Sequence, residues 1–149
     1  KANMLEVFRK LHDEKEVRRF YVGGALGVDM WAAEQILRLK EQPGYENIEL
    51  IVALPFVGHD AKWDQRSKRR MEFILQHCSK KEVIGNEDCR ESYIKRNCYM
   101  VDQANYLVAV YDDVRNLRSG TMQCVRYARK NDVPVVLIHP DTANITYPM

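Results

Sequence analysis

The sequence predicts an α/β protein: a mostly parallel sheet covered on both faces by helices, three layers in all. Three observations predict it. Apolar segments with helical and with strand character alternate along the chain, in the order α-β-α-β-α-β-α-β-α-β. The strongest strand segments are continuous Val, Ile and Leu runs, as strands buried on both faces require. Glycines and polar residues collect just after strand ends, the edge where open α/β sheets bind ligands. The crossovers between parallel strands are expected to be right-handed.

Met4, Val7, Phe8 and Leu11 fall at i, i+3, i+4, i+7 and mark an amphipathic first helix, ended by the charged run His12 to Glu16. Phe20 to Val22 reads as a short strand stopped by Gly23-Gly24. Gly27 to about Lys40 reads as a helix with Val28, Trp31, Ala32, Ile36 and Leu39 on one face, broken at Gln42-Pro43-Gly44. Ile48 to Leu54 is a buried strand halted by Pro55. A polar loop with Gly58, His59 and Trp63 follows, then a helix marked by Met71, Ile74, Leu75 and Cys78. Glu82 to Ile84 suggests a short strand, and Ser92 a cap for a helix carrying Ile94, Cys98 and Val101. Tyr106 to Tyr111 is almost continuously apolar and reads as a central strand. After a loop from Asp112 to Gly120, Thr121 to Lys130 is a helix with Met122, Val125 and Ala128 on one side. Val133 to Ile138 is the fifth strand, and the last ten residues read as a polar tail.

At 149 residues, one domain over 1–149 is the expectation, long enough to fold without metal or disulfide. The 23 Lys and Arg against 21 Asp and Glu leave a charge of +2, which places a dedicated DNA-coating role behind small-ligand binding. No apolar run approaches the roughly 20 residues of a membrane span, so no membrane partner is expected. Cys78, Cys89, Cys98 and Cys124 show no C-x-x-C spacing, and the four histidines no ligand spacing. No metal or cofactor is called for, and the thiols fit a reducing cytoplasm.

Three strand ends carry candidate chemistry. Gly23, Gly24, Ala25 and Gly27 lie between a strand and a helix, where backbone N–H groups and a helix N-terminus could hold phosphate. A tight turn with no ligand produces similar glycines. Val22 stands where a dinucleotide fingerprint has its first glycine, and no Walker lysine is present. Asp29 could complement the helix dipole, bond ribose hydroxyls or assist proton transfer; Glu34, five residues on, faces elsewhere. Pro55, Phe56 and Trp63 could stack on a base or simply pack a loop. Asp112, Ser119, Gly120 and Thr121 could supply donors to a second phosphate or sugar, or form an ordinary capped turn. Arg96 and Asn97 read as a solvated helix face unless a site recruits them, and Lys62, Arg66, Lys68, Arg69 and Arg70 form a basic cluster diluted by acids.

These residues carry a resemblance. Gly23 to Glu34, reading GGALGVDMWAAE, resembles the signature of the YpsA-like branch of the SLOG superfamily. Ala53 to Phe56, Lys62-Trp63, Arg96-Asn97, Met100 to Asp102, Val110 to Asp112, Ser119 to Thr121 and Cys124 to Ala128 continue it in order, over Phe20 to Pro140. The resemblance implies a Rossmann-like fold and a nucleotide-related ligand at the glycine loop. Its relatives include single-stranded-DNA-binding DNA-processing proteins and phosphoribohydrolases that cleave nucleoside monophosphates. The phosphoribohydrolase loop survives only as Ser119-Gly120-Thr121, and Gln123 and Cys124 stand where its glutamate would fall. The opening strand and glycine–histidine–arginine turn usual in the branch are also missing from this chain.

The leading expectation is therefore a binding or sensor domain for a nucleotide or nucleotide derivative. N-glycosidic hydrolysis through Glu34 or Asp29 ranks second. Single-stranded DNA binding through Lys62 to Arg70 ranks third. A homo-oligomer that completes a shared pocket fits this architecture.

Overall fold

The computed structural model describes residues 2–111 and 120–148. It is an α/β structure, and these residues fall into two compact units, Lys1–Arg96 and Asn97–Met149.

The first unit holds α1 (Ala2–Lys15), β1 (Arg19–Val22), α2 (Val28–Lys40), β2 (Glu49–Leu54), α3 (Gln65–His77), β3 (Lys80–Val83) and the start of α4 (Arg90–Gln103). Its sheet runs β1-β2-β3, all parallel, with Val22 opposite Val52 and Leu54 opposite Val83. β2 is the centre: Leu50 to Leu54 are all buried, as the continuous apolar run requires of a strand covered on both faces. β3 is an edge, with two exposed lysines and a Lys80–Glu82 ion pair at 2.8 Å. Charge on an edge strand discourages pairing with other chains.

α1 buries Met4, Val7, Phe8 and Leu11, and Phe8 meets Phe20 of β1 edge-on at 5.4 Å. The helix ends at Lys15, within the charged run, and His12 and Lys15 sit in its last turn, where cations suit the helix dipole. α2 packs on β1, β2 and both neighbouring helices. Its buried face is Met30, Ala33, Ile36 and Leu39, not the face containing Val28 and Trp31. Those two are 37% and 38% exposed. The helix starts one residue after Gly27 and is rotated relative to the expected stripe. α3 is capped by Asp64, whose carboxylate accepts from the Ser67 N–H at 2.7 Å and is thereby held below the usual range. α4 begins at Arg90, so Ser92 lies inside it and is buried at 4% rather than serving as a cap.

The second unit holds the rest of α4, β4 (Leu107–Val110), α5 (Gly120–Lys130), β5 (Val135–Ile138) and β6 (Ile145–Thr146). β4 and β5 are parallel, and Ala109, Tyr111 and Val125 form the core between them and α5. β6 corrects the expected polar tail. It pairs antiparallel with β5, Ile138 opposite Ile145. The chain reverses on Ala143 at φ 62, and His139 Nδ1 accepts from the N–H groups of Asp141 and Thr142. β4, expected to be central, lies at the edge of this three-stranded sheet, and its residues are mostly only half-buried.

His12 ties α1 to the α2–β2 connection. Its Nδ1 faces Asp13 at 3.0 Å and its Nε2 faces Asn47 at 2.8 Å. Tyr45 donates to the same Asp13 carboxylate at 2.9 Å. The hydrogen bond to Asp13 raises the His12 pKa above its ordinary value, against the opposing effect of burial. A raised folded pKa contributes stability that is complete below the unfolded value of about 6.5 and is lost as pH rises through the folded value. The expected outcome is that His12→Gln costs under about 1 kcal/mol near pH 5.5 and less near pH 8.5. Urea denaturation of both proteins at the two pH values measures this; an equal or larger cost at pH 8.5 contradicts it.

Candidate functional site

In the first unit, the loops after β1, β2 and β3 gather at the carboxyl edge of the sheet. Gly23 to Gly27 leaves β1, Pro55 to Asp64 leaves β2, and Ile84 to Cys89 leaves β3. The central feature is Arg96, only 5% exposed. Its Nη1 donates to the carbonyl of Gly23, 73 residues away in sequence. Its guanidinium also lies 5.7 Å from the Tyr93 ring centroid, and Tyr93 meets Phe56 edge-on at 5.7 Å. Arg96 is therefore not the solvated helix residue that its polarity suggested. Asn97 is buried too, at 8%.

Asp29 turns back from the first turn of α2 onto the glycine loop. Its Oδ2 accepts from the Ala25 N–H at 3.3 Å. Burial pushes the Asp29 carboxyl up from the usual range. The Arg96 guanidinium and the nearby loop amides pull the other way without overcoming it.

Each glycine has its own reason. A Cβ at Gly23 would lie 2.8 Å from both Arg96 Nη1 and Asp29 Oδ2. Gly24 sits at φ +68, and a Cβ there would lie 2.7 Å from Leu54. Its carbonyl accepts from His59 Nε2 at 2.8 Å, fastening the β2 loop to the glycine loop. Gly27 has open space around it but a φ of +82, and no side chain caps the helix it opens. Gly85 carries no such signal in its local sequence. A Cβ there would lie 2.3 Å from the Pro55 carbonyl oxygen and 2.5 Å from Ser92. Only the packing of α4 against the β2 loop reveals that need.

The structure thus brings Gly23, Gly24, Ala25, Asp29 and Arg96 together. Pro55 and Phe56 are buried beside them, with Phe56 packed on Tyr93. Trp63 is half-buried and meets the His59 ring edge-on at 5.1 Å. Glu34 has other partners: Arg70 of α3 grips it in bidentate fashion, at 3.2 and 2.5 Å. This pair lines an open groove with Arg66, Arg69 and Phe73. In the second unit, Asn97 Nδ2 donates to Gln123 Oε1 at 3.0 Å, and Gly120 abuts the same Asn97 amide. Thr121 is half-buried in the first turn of α5. Asp112 and Ser119 lie outside the described residues. Among the described residues no three His, Cys, Asp or Glu side chains group to hold a metal, and no helix is long and apolar enough to cross a membrane.

An α/β sheet with a glycine loop after its first strand, locked by a buried arginine, defines the class. The chain belongs to the YspA SLOG family, whose profile matches residues 1–143. It is 34% identical to the uncharacterized SPbeta prophage-derived protein YoqJ of Bacillus subtilis, over 99% of this chain and 93% of that protein. It is 27% identical to a UPF0398 protein of Staphylococcus epidermidis over 62% of this chain and 49% of the relative. A UPF0398 protein of Halalkalibacterium halodurans is 29% identical over 67% of this chain and 53% of its own length. The chain spans about half the length of these UPF0398 relatives. Membership of the SLOG family supports a nucleotide-related function in general.

Two substitutions test the geometry. Arg96→Gln strands the Asp29 carboxyl and the Gly23 carbonyl, and is expected to cost roughly 3 kcal/mol. Adding Asp29→Asn to that variant should recover part of the loss. Gly85→Ala forces a methyl against backbone and should cost about 2 kcal/mol or more. Chemical denaturation of the three variants checks both; an Arg96→Gln protein as stable as wild type would refute the lock.

Proposed function

We propose that this chain binds a nucleotide or nucleotide-derived small molecule at the carboxyl edge of the β1-β2-β3 sheet, as a sensor or binding domain. The observation that carries this reading is the Arg96–Gly23–Asp29 assembly. A buried guanidinium and a buried carboxyl are costly, and here they serve to hold one loop at the edge where α/β sheets bind ligands. Holding a loop rigid before a ligand arrives reduces the entropy cost of binding. Family membership supports a nucleotide-related ligand.

The hydrolytic reading has less support. Its glutamate candidate, Glu34, is engaged by Arg70 on the α3 side of α2, and Asp29 is engaged by the Ala25 amide. The DNA-binding reading is also weaker, since Arg70 of its basic cluster is neutralised by Glu34.

Calorimetric titration of the protein against nucleoside mono-, di- and triphosphates, ADP-ribose species and cyclic dinucleotides tests the proposal. Saturable heat from at least one, weakened tenfold or more by Gly24→Ala, is the expected result. No heat from any member at millimolar concentration overturns it.

A further inference from the structure

Phe56 and Trp63 are the strand-end aromatics that the sequence offers for stacking on a base. The fold withdraws the first. Phe56 is only 7% exposed, too buried to stack on anything outside the fold. It carries another ring instead: Tyr93, in the first turn of α4, meets it edge-on at 5.7 Å and is itself 37% exposed. Trp63 is less open, half-buried against His59 at 5.1 Å. A chain of contacts fixes where Tyr93 stands. The Arg96 guanidinium carbon is 5.7 Å from the Tyr93 ring centroid and 3.0 Å from the point where a Cβ on Gly23 would lie. The exposed ring is therefore a neighbour of the glycine loop, and one nucleotide is long enough to touch both.

We infer that Tyr93 is the base-stacking residue of this site, which rests on the reading that a nucleotide derivative binds at this edge. The ring supplies what such a ligand needs. Every base has a π-face, and stacking on an aromatic side chain holds it whatever its identity. The ring is also set in advance: Phe56 braces it and the guanidinium of Arg96 lies over it. A platform already held in place loses little freedom when a base lands on it. Tyr93 thereby makes the site selective for ligands that carry a base over bare sugar phosphates. The uncapped start of α2 at Gly27 has open space around it and stays available to an anionic group of the same ligand.

NMR and calorimetry of the full chain test the assignment, with the nucleotide, ADP-ribose and cyclic dinucleotide panel named above. For the panel member that binds tightest, the base protons are expected to give nuclear Overhauser cross-peaks to the Tyr93 ring protons, identified by comparison with Tyr93→Phe. Tyr93→Leu should weaken that ligand about tenfold or more, and Tyr93→Phe, which keeps a ring, less than about threefold. Ribose 5-phosphate, which has no base, should not distinguish wild type from Tyr93→Leu. Base cross-peaks to Trp63 with none to Tyr93 overturn the assignment, as does a Tyr93→Leu protein that binds the nucleotide as well as wild type does. Equal losses for the nucleotide and for ribose 5-phosphate overturn it too, because they mark the ring as a brace for Arg96 alone. In each of these cases nucleotide binding stands. Should Tyr93→Leu fail to fold, the cross-peaks of the wild-type protein decide. No heat from any panel member removes the proposed function, and this assignment with it.

Discussion

The burial of one guanidinium organises the candidate site. Arg96 reaches from α4 to the carbonyl of Gly23, at the end of β1. An arginine cannot shed its charge, so it is buried only where acceptors and a counter-charge are waiting. The acceptor is a loop carbonyl and the counter-charge is Asp29, which is in turn held by the Ala25 amide. Each element of this small circuit depends on the other two. The Gly23 side-chain position must stay empty because Arg96 and Asp29 occupy it.

The same circuit accounts for much of the surrounding chemistry. His59 fastens a second loop to the first through the Gly24 carbonyl. Gly85 lets the start of α4 approach the Pro55 carbonyl. The Phe56–Tyr93 contact sits under the Arg96 guanidinium, joining the β2 loop to α4. Three loops that leave different strands are thus bound to one another and to one helix. Gly23, Gly24 and Gly85 each leave room that this closure needs.

Much of the fold was legible from periodicity. α1 buries the four residues its spacing marks, and β2 is central and buried as its Ile, Val and Leu run requires. The misreadings have physical causes. Val28 and Trp31 are large and apolar and so suggest a core face, yet Met30 and Ala33 are the buried ones. Ser92 looked like a cap because serine is a good one, but α4 starts earlier and Ser92 packs inside. The β6 pairing was invisible because two residues are too few to show a period. β4 is apolar enough for a sheet centre but is an edge within its sheet. Of the site, the glycine loop and Asp29 stood out locally. Arg96 and Asn97 stood out only through the family resemblance, since polar helix residues are solvated by default.

By itself, the sequence determined the α/β alternation, the strand-end glycines and the SLOG relationship. These are written in short-range pattern: side-chain period, turn residues and a contiguous motif. Tertiary structure alone decided how the motif is held. Whether Asp29 turns out to solvent or back onto the Ala25 amide depends on where α2 begins. Whether Arg96 is solvated or buried depends on a carbonyl 73 residues away. Such contacts carry no periodicity, because they are set by how helices and loops pack and not by the residues beside them in the chain.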